Sequence, residues 1–312
     1  MADPHNSSRA GLLFGLGAYL LWGFLPLYFK LLTEVAPSEI VGHRIIWSLV
    51  FLAVLATLWR RWAAIRAAFA TSRVLMTLTL TALLIGINWL IYIWAVINGH
   101  VLAGSLGYYL NPLINVLLGV IILKEKLSRG QFFAVLLAGA GVAVLATGAG
   151  RDLWISLALA LSFGLYGFLR KVAPVDSLEG LSVETAILAP IALGWILWLN
   201  QQGAGGFGRF GWETDALLIL GGAVTAVPLL LFTAAAKRLP YSTLGFLQYL
   251  APSIQFLLAV LAFGERLTTA HIICFGAIWS ALAIFAFEGL RQGRAAARAR
   301  ARAELCPEAC GP

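Results

Sequence analysis

Charge is scarce in this sequence. Only 12% of its 312 residues are Asp, Glu, Lys or Arg, and aspartate is nearly absent from the long apolar runs. A carboxylate-rich cation or proton path of the usual kind is therefore not visible. Cysteine is equally sparse: Cys274 lies in an apolar run, and Cys306 and Cys310 lie in a polar tail. That distribution excludes a disulfide framework and any paired metal-ligand spacing. Motifs of chemistry are missing too, with no His-Glu-x-x-His, no Gly-x-Ser-x-Gly and no phosphate-binding Gly-x-x-x-x-Gly-Lys-Ser/Thr. These absences argue against an enzyme, against ATP-driven transport, and against a resident metal or cofactor.

What the chain has instead is apolar surface. At 61% hydrophobic residues and a mean hydropathy of +0.88, it carries more than a soluble domain of this length could bury. Lipid must solvate the excess, so the chain reads as an integral membrane protein with the bilayer as its first partner. The net charge of +8 could suggest nucleic acid, but the basic residues are parcelled into short segments between apolar runs, which is a topological signal and not a nucleic-acid patch.

Runs of apolar residues bounded by charge, Pro or Gly predict ten spans, near 11–32, 39–59, 74–97, 102–123, 131–148, 152–170, 182–200, 215–236, 243–263 and 270–289. The first run, preceded only by Arg9, is too long for a signal-peptide core and reads as a retained span. With the amino terminus inside, 17 lysines and arginines fall on inner segments and four (Lys30, Arg151, Arg209 and Arg266) on outer ones. This asymmetry predicts that both termini are cytoplasmic.

The chain is also a duplication. Residues 105–127 recur 140 positions later as 245–267, with nine of 23 positions identical, among them Tyr109, Pro112 and Glu125 against Tyr249, Pro252 and Glu265. An odd repeat unit of five helices must re-enter the bilayer from the other side. The expected fold is all-α, ten transmembrane helices in two inverted five-helix repeats, 11–148 and 152–289, followed by an Arg/Ala-rich cytoplasmic tail, 290–312. A second echo links Tyr19–Phe24 with Phe163–Phe168. Gly11 and Gly15, Gly139 and Gly141, and Gly164 and Gly167 read as close-packing positions.

Candidate cavity residues are the polar and aromatic groups of the spans: Trp22, His43, Arg44, Asn88, Trp89, Trp94, Tyr108, Tyr109, Asn111, Pro112, Asn115, Tyr166, Gln248, Tyr249, Pro252 and Gln255. Tyr108, Asn111 and Asn115 share one helix face, and Gln248 and Gln255 repeat it around the matching proline. Each proline strips one helical hydrogen bond, leaving the carbonyls of Tyr108 and Gln248 as spare acceptors. The functional reading is a small-molecule site between these two helices; the plainer one is interhelical glue for Asn and Gln, and interfacial belts for Trp and Tyr. Arg44, about one and a half turns inside its span, either faces a pathway or snorkels to the interface. Under the 140-residue shift Arg44 falls on Glu184, and inversion keeps the two apart: Arg44 is expected on the outer half of the pathway, Glu184 nearer the inner interface.

Four motifs in order, His-Arg-Ile-Ile-Trp-Ser at 43–48, Asn-Trp-Leu-Ile-Tyr-Ile-Trp-Ala-Val at 88–96, Ser-Leu-Gly-Tyr-Tyr-Leu-Asn-Pro-Leu at 105–113 and Ser-Thr-Leu-Gly-Phe-Leu-Gln-Tyr-Leu-Ala-Pro-Ser at 242–253, resemble the RarD group of chloramphenicol-sensitivity permeases. That group, within the drug/metabolite transporter superfamily, has EamA-type repeats, and the resemblance covers about residues 10–290. It implies a bacterial inner-membrane permease moving small metabolites or drugs by alternating access, with the substrate left open. This chain departs in having Ala103-Gly104 before Ser-Leu-Gly, where such proteins usually carry an acidic residue. A non-transporting membrane scaffold or sensor is the alternative from another class; substrate, coupling ion, direction and oligomeric state are not legible.

Overall fold

The computed structural model describes residues 4–98, 100–147, 150–262 and 269–305. Glu265, Arg266, Leu267, Cys306, Cys310 and positions 148–149 of the expected linker lie outside the described residues. The described chain forms α1 (Pro4–Lys30), α2 (Pro37–Leu58), α3 (Trp62–Ala70), α4 (Ser72–Ile97), α5 (Val101–Ile121), α6 (Arg129–Ala146), α7 (Leu153–Val172), α8 (Ser177–Gln201), α9 (Trp212–Ala236), α10 (Tyr241–Gln248), α11 (Leu250–Leu261) and α12 (Thr269–Leu305). No strand occurs among the described residues. In lipid a spanning segment must satisfy its own backbone, which a helix does and a lone strand cannot.

Nine of these helices are long and apolar enough to cross a membrane. The remaining expected span, 243–263, is present in two pieces, since α10 has eight residues and α11 twelve, and neither alone reaches across. The break at Tyr249 corrects the expectation of a continuous helix. Pro252 has no N–H to give the Gln248 carbonyl, and the Tyr249 N–H turns tightly to Phe246 O at 3.2 Å instead. The matching Pro112 sits inside α5 without breaking it. The short α3, in a segment read as a loop, was not expected either.

Helix packing reveals the two repeats. Exchanging α1 with α7, α2 with α8, α4 with α9, α5 with α10–α11 and α6 with α12 maps the contacts onto themselves: α1 on α9 matches α7 on α4, α2 on α9 matches α8 on α4, and α1 on α11 matches α7 on α5. The pairs α2–α8, α5–α10 and α6–α12 map onto themselves. Five spans per half reverse the direction of the second, so this is a multi-pass membrane fold of two inverted repeats. Leucines such as Leu13, Leu90 and Leu261 are exposed on its outer surface, where lipid takes the place of water.

The centre is aromatic. Trp22 packs against Tyr19, Phe163 and Phe232 with ring centroids 5.7, 5.9 and 5.7 Å away, and Tyr166 stacks on Phe232. Trp22 and Tyr166 are equivalent members of the echoed segments, so the duplication itself supplies both sides of this cluster. Close approach elsewhere uses glycine: a side chain on Gly141 of α6 would come 2.7 Å from Ala277 of α12. Gly139, expected to do the same, faces open space; it lies on the other side of the helix from α12.

Candidate functional site

Arg44 is the most informative side chain in the bundle. Its Nε donates to Thr225 Oγ1 of α9 at 2.7 Å, and its guanidinium lies over the rings of Phe29 and Trp89, 5.4 and 5.7 Å from their centroids. The hydroxyls of Tyr28, Tyr92 and Tyr108 are within electrostatic reach. Among the described residues no carboxylate pairs with it. Glycine makes room for it, since a side chain on Gly221 would touch the Arg44 stem at 3.1 Å. Tyr92 and Tyr108 make an edge-to-face contact at 5.6 Å. Tyr108 keeps 39% of its surface accessible. Aromatic faces and a lone cation are thus gathered between α1, α2, α4, α5 and α9, the candidate recess of this fold. Arg44 does not snorkel; it points across the helix interface to Thr225.

Glu184 occupies the equivalent position in the other repeat, and the expectation that it is interfacial is corrected. It is 1% exposed, accepting from Thr81 Oγ1 at 2.5 Å and from the Tyr166 hydroxyl at 3.4 Å, with Arg170 Nε 3.4 Å away. Arg170 is wholly buried as well. A charge at such depth requires a partner, and α7 provides one because Gly180 of α8 leaves space for the guanidinium. Arg44 and Glu184 do not pair, as expected. Between them lies a cavity lined by Trp89, Tyr166, Glu184 and Thr225, enclosing only about 10 Å³, roughly the room of one water.

The proline helices meet without a hollow. Asn115 Nδ2 donates to Gln248 Oε1 at 2.6 Å, and a side chain on Gly245 would come 2.7 Å from the Pro112 carbonyl. Asn115 is buried in that seam, which is the arrangement of interhelical glue, whereas Asn111 is buried with its Oδ1 unpartnered. Tyr109 and Tyr249 turn to the other side, Tyr109 packing edge-on to Phe275 of α12 at 5.5 Å and Tyr249 on Phe246. Gln255 reaches α1, where its amide donates to the Trp22 carbonyl. Asn88 donates to Leu159 O and Ser162 Oγ of α7, both at 2.9 Å. Trp94 is stacked on His100 at 5.3 Å and is 44% exposed, a belt position. So of the sixteen residues singled out in the sequence, Arg44, Trp89 and Tyr108 share the recess and Tyr166 and Trp22 stand beside it.

Both ends of the bundle are closed by carboxylates that pattern reading passed over. Glu39, in the first turn of α2, accepts from the backbone N–H groups of Gly206 at 2.8 Å and Phe207 at 3.2 Å in the α8–α9 loop, while His43 stacks on Phe207. Glu179 is its equivalent under the 140-residue shift, in the first turn of α8; it is buried and bound by Arg61, which also holds Asp176 at 2.7 Å. The hydrogen bond to Glu179 keeps the Arg61 guanidinium above its ordinary range. At this same α3 end, Lys171 donates to Ala236 O and Leu239 O and Lys237 to Ala173 O, so α7 and α9 cap each other. Burial pulls the Lys237 ammonium below the usual lysine value, and Arg170 adds to the effect. Glu125, after α5, accepts from the N–H groups of Tyr241 and Ser242, where α10 begins. The shared 140-residue offset of Glu39 and Glu179 was the available signal.

Known proteins place this geometry. The EamA-like transporter family matches residues 9–147. An uncharacterized transporter of Vibrio cholerae is 47% identical over 96% of this chain and 99% of its own, and the RarD protein of Streptomyces exfoliatus is 45% identical over 96% and 94%. The chain belongs to the RarD group of EamA-like transporters. A crystal structure 24% identical, covering 91% of this chain and 99% of its own with a TM-score of 0.70, has the same fold. Membership of the RarD group makes the chain a multi-pass membrane transporter, and the recess at Arg44, the buried Glu184 pair and the two closures are the parts of it with which transport can be built.

Proposed function

We propose that this chain is a secondary transporter that moves a small anionic or zwitterionic metabolite or drug across the bacterial inner membrane by alternating access, with both termini cytoplasmic and the solute received at Arg44. One observation carries the reading: Arg44 is a half-buried cation inside the bundle with aromatic walls and no carboxylate partner among the described residues. An intramembrane charge left without a counter-ion is costly unless its site is completed by water or a ligand. Phe29 and Trp89 present their faces to the guanidinium, so a flat or apolar solute body would slide between rings while its anionic group meets the charge. The two closures, Glu39 at one end and Glu179 at the other, are the gates that the repeats would open in turn. The positive-charge asymmetry supports an inward-facing Glu179 gate.

Comparison of intracellular metabolites in cells with and without the chain tests this reading, with Arg44→Gln as control at equal membrane abundance. An acidic or zwitterionic solute should change in level with the intact chain and revert with Arg44→Gln. Equal pools in all three strains, over a broad metabolite panel, would sink it.

A further inference from the structure

Solute recognition leaves one buried pair unused. We propose that Glu184 is a proton-binding site that couples transport to the proton gradient, with Arg170 as the positioning residue that conveys its charge state to the gate at the α3 end. The proposal rests on the transporter reading for its purpose, though its test needs no solute.

The geometry of the pair is loose where a structural ion pair would be tight. Arg170 has five donors but makes one hydrogen bond, from Nη2 to Ser177 O at 3.2 Å; its Nε and Nη1 find no acceptor, and Nε stands 3.4 Å from Glu184 Oε1 without bonding to it. Buried guanidinium groups are ordinarily satisfied, so one that is not has donors to spare for a water or a second acceptor. Such an acceptor is adjacent. Gly180 packs directly on the guanidinium, and its neighbour Glu179 has a buried carboxylate oxygen, Oε2, with no hydrogen-bond partner. Arg170 therefore stands by two acids five residues, about 1.4 turns, apart on α8, Glu184 at the central cavity and Glu179 in the gate.

The groups facing Glu184 make the proton its natural ligand. From α7 it meets Arg170 and Tyr166, from α4 the hydroxyl of Thr81 and, across the cavity, Ile85 and Trp89, and from α2 and α9 Ile45, Ser48, Thr225, Ala226 and Leu229, none of which titrates near neutrality. A hydronium reaching the cavity gives up a proton and remains as water, an O–H bond forms on the carboxylate, and the guanidinium keeps its charge. Once Glu184 is neutral, Arg170 is a buried cation without a counter-ion, and Glu179, next to Gly180 and with its Oε2 unpartnered, is an acid that can supply one. Arg61 must then share or release Glu179, which loosens the contact between the α2–α3 turn and α8. Loss of the proton reverses each step.

The test uses the full chain with its native cysteines replaced and Ala173→Cys introduced at the α7–α8 turn, reconstituted in vesicles of phosphatidylethanolamine and phosphatidylglycerol. Alkylation by a membrane-impermeant maleimide, corrected for the pH dependence of a free thiol, should rise about tenfold on acidification. With Glu184→Gln it should be high and flat with pH, and Glu184→Asp should restore the dependence at a displaced midpoint. The same pH dependence in Glu184→Gln as in its parent, or a flat parent, would overturn the proposal. Infrared difference spectra of the unaltered chain give a second readout independent of any variant's folding: a protonated carboxyl band should grow in acid, and its absence would overturn the proposal equally. Failure of either arm leaves solute binding at Arg44 standing, and failure of the metabolite comparison leaves proton uptake measurable.

Discussion

The side-chain amide of Gln255 donates to the backbone carbonyl of Trp22 at 2.9 Å, and that carbonyl is the one that Pro26, four residues on in α1, leaves without a helical donor. A glutamine from the second repeat thus completes the backbone of a helix in the first. Inside a membrane nothing else would, since lipid offers no hydrogen bond.

Replacing Gln255 by Leu should lower stability in detergent by about 1–2 kcal/mol. In a Pro26→Ala background the Trp22 carbonyl regains its helical donor, so the same substitution should cost much less. Thermal unfolding of the two single variants and the double variant measures the coupling. Additive losses would show that Gln255 acts by packing alone.

Water access separates the recess from the proline seam. Tyr108 keeps 39% of its surface, whereas Asn115 keeps none. In a chain otherwise free of cysteine, Tyr108→Cys should react with a small water-soluble thiol reagent, and Asn115→Cys should stay protected. Fast labelling of Asn115→Cys together with protection of Tyr108→Cys would move the pathway back to the proline helices.

The duplication, the span pattern and the opposed charges at Arg44 and Glu184 were legible because they depend only on composition and on a 140-residue offset. What the offset could not show is how equivalent positions differ in three dimensions. Pro112 and Pro252 sit in the same motif, yet one helix continues and the other breaks at Tyr249. The partner of Glu184 was hidden because Arg170 belongs to another helix and reaches it only across Gly180, a contact no sequence period encodes. Glu39 and Glu179 were visible in the offset but look like ordinary acids in a first helical turn, where the helix dipole favours them. Asn115 and Gln248 were read as cavity polar groups, and their mutual bond shows how interhelical glue carries the same pattern.

Two glycines make opposite predictions. A side chain on Gly222 of α9 would fall on the Trp47 carbonyl and 2.7 Å from the Ser48 nitrogen, whereas one on Gly139 meets nothing within 4 Å. Gly222→Ala should therefore force α2 and α9 apart and cost about 1–3 kcal/mol, with loss of the Ser48 bond to Gly222 O. Gly139→Ala should be neutral or raise stability by up to about 1 kcal/mol through helix propensity. Melting temperatures of the two variants decide the matter, and equal destabilisation would contradict the packing described for α2 and α9.

The final prediction follows from the equivalence of Glu39 and Glu179. Each sits in the first turn of the second helix of its repeat, each is buried, and each binds a segment at its own end: Glu39 the Gly206–Phe207 backbone, Glu179 the Arg61 guanidinium. If the repeats rock as a unit about the central aromatic cluster, weakening one closure must favour the state in which that end is open and the other shut. Glu39→Ala removes the acceptor for three close N–H contacts, and a loss of about 1.5–3 kcal/mol is of the size that inverts a two-state population. A cysteine at Phe207 should then label faster and one at Ala173 slower. Glu179→Ala should do the reverse, releasing Ala173 and protecting Phe207. Were both substitutions to expose the same end, or each to expose its own end without protecting the other, the two closures would be independent latches and the alternating mechanism would lose its structural support.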